Sequence, residues 1–410
     1  MRRRTVLAAL AAPVLLGAGT AGGARAGTRD PAASAVERIG GALGDSGGEL
    51  VARGREHGPG WIRTTLELRD AAVPLVVDVV ADTGHVPRRV AYLLPGGGLD
   101  FASNFFTPTA HNLAHHLRTR GYLVVGISPR ENGATAADLT AEWGLAAHKR
   151  DARKVIDAVD AALRVPYDLL GHSAGAALAL DLAADRAPGP RRVMVLDTTG
   201  PYEGDLAVRA ARTRAALDAQ LASGVYANDP GLKGLLARAV GDPNGASAVP
   251  RPVDPASRFT HAALAHFALV HTAKLPGATN WIYEQGFAAG TFAFGATPSD
   301  DRYALTHTPL ATWADATARF GGGLIPIALL RDLTAIWAGE ESVYRIDWSA
   351  IGAEVTWINT ALGRGDHPQG ANLIRDGGNP KVTFTVIPDY GHGDPVWSST
   401  ADRDVWRLLV

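Results

Sequence analysis

Three stretches of this chain carry residue types and spacings suited to acyl transfer. The run "YDLLGHSAGAALALDLAA", Tyr167 to Ala184, sets Ser173 between Gly171 and Gly175, where an apolar stretch gives way to an Ala/Leu-rich helical one. Small residues there would let a helix lie close to a sheet. Alternatively, the glycines relieve crowding at a strained strand-to-helix turn, so that the Ser173 hydroxyl stands exposed as a nucleophile. The strand-turn-helix context favours the nucleophile, because the following helix would aim the positive end of its dipole at charge developing on a substrate oxygen.

The second stretch is "LLPGGGLD", in which Gly96, Gly97 and Gly98 follow an earlier apolar strand. Their N–H groups can approach a substrate oxygen without side-chain obstruction and, with the N–H of Ala174, would make an oxyanion hole. The third is His392 in "VIPDYGHGD". Of the 13 histidines, only His392 follows the final β-rich run with glycine on both sides, where a base could reach back to Ser173. His172, inside the serine motif, is expected to pack beside the turn rather than act as the base.

These residues need a scaffold that brings strand ends together. "WIRTTLELRD" alternates, "VPLVVDVVAD" is β-rich, and "RRVAYLLPGGG", "YLVVGISPRE" and "RRVMVLD" read as short buried strands. "HNLAHHLRTRG" and Glu142 to Val165 read as helices between them. Short apolar strands alternating with helices imply an α/β fold, a mostly parallel sheet covered on both faces. The rhythm breaks over 198–345 and resumes through "AEVTWINTALGRGD" and "KVTFTVIPDYGHGD". The expected organisation is therefore a core over 60–197 and 346–410, interrupted by a largely helical cap over 198–345. Residues 27–59, rich in Gly and Ala with one short helical candidate, read as an exposed lead-in.

The order of glycine loop, G-x-S-x-G, acid and late histidine resembles the α/β-hydrolase superfamily from about Trp61 to the C-terminus. The resemblance implies Ser173 as nucleophile, His392 as general base, oxyanion donors on Gly97 or Gly98 and on Ala174, and a lid in the long interruption. Pro95 stands where a histidine often precedes the glycines in lipases and esterases. The resemblance also implies a carboxylate that orients His392. Asp366 in "TALGRGDH" lies past the Val355–Asn359 strand with room for a helix and a strand before the histidine, and is the expected acid. Asp197, at the end of the strand after the nucleophile helix, is the second choice. Asp389 and Asp394 lie too near His392 along the chain. No metal or organic cofactor is required. The histidines at 111, 115 and 116 lack a completing acid or cysteine, and those at 261, 266 and 271 scatter around a helix.

Cleavage of a carboxylic ester is the expected reaction. A peptidase or amidase, an acyltransferase, or a binding protein on the same fold are the alternatives. For a peptidase, Glu284, Asp300, Asp301, Glu340 and Glu341 in the cap could anchor a peptide terminus. The density of aromatics in "NWIYEQGFAAGTFAF" suggests a local core or an acyl pocket. The pocket reading takes Trp281 and Tyr283 from the cap with Phe101, Phe105 and Phe106 from below, and expects a fairly bulky apolar substrate.

The chain has 410 residues, 46% of them hydrophobic, enough for a large core with an insertion. Its first 26 residues read as a cleavable export signal, with Arg2, Arg3 and Arg4 before an apolar run and Ala24-Arg25-Ala26 at the end. Arg3-Arg4-Thr5-Val6-Leu7 looks like a twin-arginine signal. Its removal takes away four arginines and shifts the formal charge from −1 to about −5. That balance argues against nucleic acid as a partner, and no later stretch is apolar enough for a stable membrane anchor. With no cysteine, disulfides and thiolate metal sites are excluded.

Overall fold

The computed structural model describes residues 30–185 and 189–410, so the export signal read at 1–26 lies outside the described residues. At the centre is a nine-stranded sheet. Its strands are β1 (Glu49–Gly58), β2 (Trp61–Arg69), β3 (Leu75–Asp82), β4 (Val90–Leu94), β5 (Leu123–Ser128), β6 (Tyr167–His172), β7 (Arg192–Leu196), β8 (Glu354–Thr360) and β9 (Val382–Ile387). They lie in the order β1-β2-β3-β5-β4-β6-β7-β8-β9. The pairs from β5 across to β9 are parallel, whereas β3 is antiparallel to both its neighbours and β1 to β2.

The alternation of side chains along each strand separates two cores. Val90, Tyr92 and Leu94 of β4 and Val193 and Val195 of β7 face one core, together with the helices α1 (Pro31–Asp45), α4 (Leu145–Leu163) and α5 (Ala174–Ala183). Ala91, Leu93, Met194 and Leu196 face the other, with α2 (Phe101–Phe105), α3 (Leu113–Arg118) and the C-terminal residues Trp397 and Trp406. Strands buried on both faces explain why the central ones read as continuous apolar runs. The sheet order, covered faces and strand-to-helix turn at Ser173 are those of an α/β-hydrolase fold.

Two expectations about organisation change. The segment over 27–59 is not simply an exposed lead-in where the structure describes it, although most of β1 is exposed. Ala32, Ala35, Val36, Ile39 and Leu43 of α1 are buried at helical spacing, Asp30 caps the helix, and β1 extends the sheet. The cap between β7 and β8 holds the helices α6 (Gly204–Ala222), α7 (Leu232–Gly241), α8 (His261–Val270), α9 (Leu310–Arg319) and α10 (Ile327–Ala338). It also contains three two-stranded antiparallel sheets. Leu236, Leu269 and Trp313 of the cap join the second core, so cap and sheet share buried surface.

Candidate active site

The turn after β6 is held open by two forced glycines. A Cβ on Gly171 would sit 2.1 Å from the Gly175 carbonyl oxygen, and one on Gly175 would sit 2.0 Å from that of Leu94. Neither position accepts a side chain without moving backbone. Between them Ser173 takes φ 56° and ψ −119°. Such a conformation costs on the order of 1–3 kcal/mol in a non-glycine residue and persists only when its surroundings impose it. The Ser173 N–H is anchored to the carbonyl of Leu196 at the end of β7 (2.9 Å). Its side chain makes no cap hydrogen bond to α5, which leaves the hydroxyl for the cavity it lines.

His392 lines the same cavity and is almost fully buried. Its Nδ1–H donates to Asp197 Oδ2 at 2.5 Å. Asp197 follows β7, has φ 48°, and is completely buried. The far oxygen of its carboxylate accepts from the Thr360 N–H (2.7 Å) and hydroxyl (2.9 Å), and the backbone N–H of Arg364 lies 3.3 Å from both oxygens. Burial alone would raise this carboxyl's pKa, but the bond and charge of His392 and the positive charge of Arg364 outweigh it, so Asp197 stays ionised. Burial is also the main reason that the His392 pKa lies below its ordinary 6.5, with Asp197 opposing the shift and Arg364 adding to it.

The carboxylate on His392 is thus Asp197, not Asp366. Asp366 is exposed, and none of the hydrogen bonds or ion pairs of His392 goes to it. The expected loop is nevertheless part of the site, because it supplies the Arg364 N–H to Asp197 and carries the Arg364 side chain into the cavity.

A polar chain ties the glycine loop to the histidine loop. The Gly96 N–H donates to Asn104 Oδ1 (2.9 Å), which leaves the Asn104 amide to donate to His172 Nδ1 (3.2 Å). His172 Nε2–H then donates to the His392 carbonyl (3.0 Å). Each group has one role, as a neutral imidazole requires, and burial holds the His172 pKa down to about 3. His172 packs beside the turn as expected, but its tie to the His392 backbone joins residues 220 apart and has no local sequence signal. Asn104 takes the Gly96 N–H, whereas the N–H groups of Gly97 and Gly98 have no hydrogen-bond partner among the described residues. Both residues line it together with Ala174, whose N–H, first in α5, has no intrahelical acceptor.

Of the expected pocket residues, only Tyr283 lines the cavity. Phe101, Phe105 and Phe106 are fully buried in the second core beneath it, with Arg63 stacked over Phe106. Trp281 instead packs on Tyr202 and under Arg209, with its indole N–H on Thr213. Phe292 and Phe294 form a local core with Phe259 and Phe267. Phe287, in the same aromatic stretch as Tyr283, also lines the cavity, and the aromatic walls that sequence reasoning missed are Trp313, Phe320, Trp337 and Trp397.

No protein-family model matches this chain, and no curated protein matches it. Among solved structures it is similar to a carboxyl esterase from Bacillus coagulans, at 15% identity over 84% of this chain and 94% of that one, with a TM-score of 0.49. It is also similar to the peroxisomal alpha-beta-hydrolase Lpx1 from Saccharomyces cerevisiae (10% identity, 88% and 86% covered, TM-score 0.45). An enol-lactonase from Burkholderia xenovorans LB400 is a third such structure (13% identity, 79% and 93% covered, TM-score 0.41). At such identities the likeness concerns the fold alone.

Proposed function

We propose that this protein is a serine hydrolase that cleaves carboxylic esters, with Ser173 as nucleophile, His392 as general base and Asp197 as the acid that orients it. The observation that carries the reading is the buried 2.5 Å bond between His392 Nδ1 and Asp197 beside a strained serine in the same cavity. With Nδ1–H donated to Asp197, the lone pair of His392 is on Nε2. Ser173 Oγ attacks the acyl carbonyl carbon while Nε2 takes its proton. The oxyanion accepts from the N–H groups of Ala174 and of Gly97 or Gly98, each such donor being worth about 3 kcal/mol in the transition state. The His392 imidazolium protonates the departing alcohol, and water, activated by the same nitrogen, releases the acyl group.

The ester reading gains over the peptidase one because the five acidic candidates in the cap are engaged elsewhere. Glu284 pairs with His367, Asp301 with buried Arg251, Glu340 with Arg214 and Glu341 with Arg345, while Asp300 closes a turn on Thr297. None of them lines the cavity. The aromatic walls support an apolar substrate group. A cavity of about 160 Å³, below the ~300 Å³ where pockets for drug-sized ligands begin, favours a compact one over the bulky group expected from sequence. We propose as well that the twin-arginine-like signal read over 1–26 exports the chain, so that the reaction runs outside the cytoplasm.

Fluorophosphonate labelling tests the reading, followed by a panel of p-nitrophenyl esters and aminoacyl anilides. The expected result is modification at Ser173 and faster turnover of the esters. Preference for anilides would replace the esterase with a peptidase. The pH profile is a separate check. Neutral His392 is the active form, so kcat/KM rises with pH through its pKa and levels off above it. Since burial and Arg364 hold that pKa below 6.5, the midpoint of the acid limb is expected below pH 6.5. A midpoint above it would contradict a buried, Arg364-flanked base.

A further inference from the structure

Arg364 lines the cavity of Ser173 and His392 and is only 3% exposed. Its guanidinium packs over two aromatic rings, with the central carbon 5.1 Å from the centroids of both Tyr283 and Trp337. Stacking satisfies the faces of a guanidinium and leaves the N–H groups at its edge. Here Nε and Nη1 are buried with no hydrogen-bond partner, and among the described residues no carboxylate pairs with the group. Asp197 does not fill that role, since its oxygens go to His392, Thr360 and the Arg364 backbone.

Two further buried atoms of the cavity lack partners, the indole nitrogens of Trp313 and Trp337. Every unpartnered buried side-chain atom on these walls is therefore a donor. An arginine and indoles have no acceptor capacity; ionised Asp197 attracts the guanidinium through space but accepts no hydrogen bond from its side chain, and a buried N–H left without an acceptor is costly. A purely apolar ligand offers none of these donors an acceptor.

We propose that the substrate is an ester bearing a free carboxylate, which Arg364 receives through its N–H edge while Ser173 attacks the ester carbonyl. The inference rests on the serine-hydrolase reading and adds the substrate's charge to it. The bound carboxylate would also act on the chemistry. The positive charge of Arg364 opposes protonation of His392, and a neutralising anion relieves that opposition when the imidazolium forms. The preference therefore enters kcat as well as KM.

The test compares mono-p-nitrophenyl adipate with p-nitrophenyl hexanoate, which share a chain length and leaving group and differ by one carboxylate. The wild-type enzyme is expected to favour the adipate in kcat/KM by about 10- to 100-fold, the range of a charge-assisted hydrogen bond. In Arg364→Met that ratio should fall to near one, and in Arg364→Lys a part of it should return. A further measurement needs no variant: free adipate should protect wild-type Ser173 from a fluorophosphonate better than adipamide does. Equal rates on the two esters, or preference for the hexanoate, would overturn the proposal while leaving the hydrolase intact. Absence of both labelling and turnover would remove the hydrolase reading, and this inference with it.

Discussion

Ser173→Ala is expected to lower turnover of p-nitrophenyl esters by about 10⁶-fold, the scale seen when the nucleophile of a triad is removed. A residual rate on the order of 10³–10⁴ over water should survive, because oxyanion donors and binding act without the hydroxyl. The fold should be retained. The Ser173 side chain makes no cap bond to α5, and what fixes the turn is backbone: the Ser173 N–H on Leu196 and the close approaches at Gly171 and Gly175. Alanine at φ 56° meets much the same strain as serine. Kinetics and thermal melting on the same preparation separate the two effects. Substantial activity with an unchanged substrate profile would put the nucleophile elsewhere.

What the sequence revealed of this arrangement follows from how local each feature is. Strands β4 to β7 were legible because burial on both faces makes each one a short apolar run between turn signals. The turn at Ser173 was legible because strand, glycines and helix are contiguous. A short helix was legible in the segment over 27–59, but its burial was not, because the buried face of α1 is built partly from Ala32 and Ala35 within an Ala/Gly-rich stretch and the apolar stripe has little contrast. The small cap sheets were missed because strands such as Ala246–Arg251 and Asp254–Thr260 are mostly exposed and contain proline. The pocket failed for a different reason. Phe101, Phe105 and Phe106 adjoin the glycine loop in sequence, but α2 turns them into the core, and the actual walls come from distant cap segments and from Trp397 near the C-terminus. Unpartnered donors such as those of Arg364 are a property of the assembled cavity and have no sequence signature.

The acid shows the same limit, and its test has the sharpest ranking. Asp366 had the expected spacing to His392, but spacing does not report that Asp197 turns at φ 48° beneath the end of β8, where Thr360 and Arg364 deliver their N–H groups. Asp197→Asn is expected to cut kcat by about 10⁴-fold, the cost of the wrong imidazole tautomer. The direction follows from the donors. The Thr360 N–H and hydroxyl both donate to Oδ1, so an asparagine must place its carbonyl oxygen there. Its NH₂ then faces His392 Nδ1 as a donor, the imidazole proton shifts to Nε2, and the lone pair needed to take the Ser173 proton is lost. Exposed Asp366 has no comparable role, and Asp366→Asn should change turnover by no more than about twofold, as for a surface substitution within ±0.5 kcal/mol. Steady-state kinetics on the two variants decide between them, with fluorophosphonate labelling rates as a second reading of nucleophile activation. If Asp366→Asn is the slow enzyme and Asp197→Asn is near wild type, the bond between Asp197 and His392 holds structure rather than the proton.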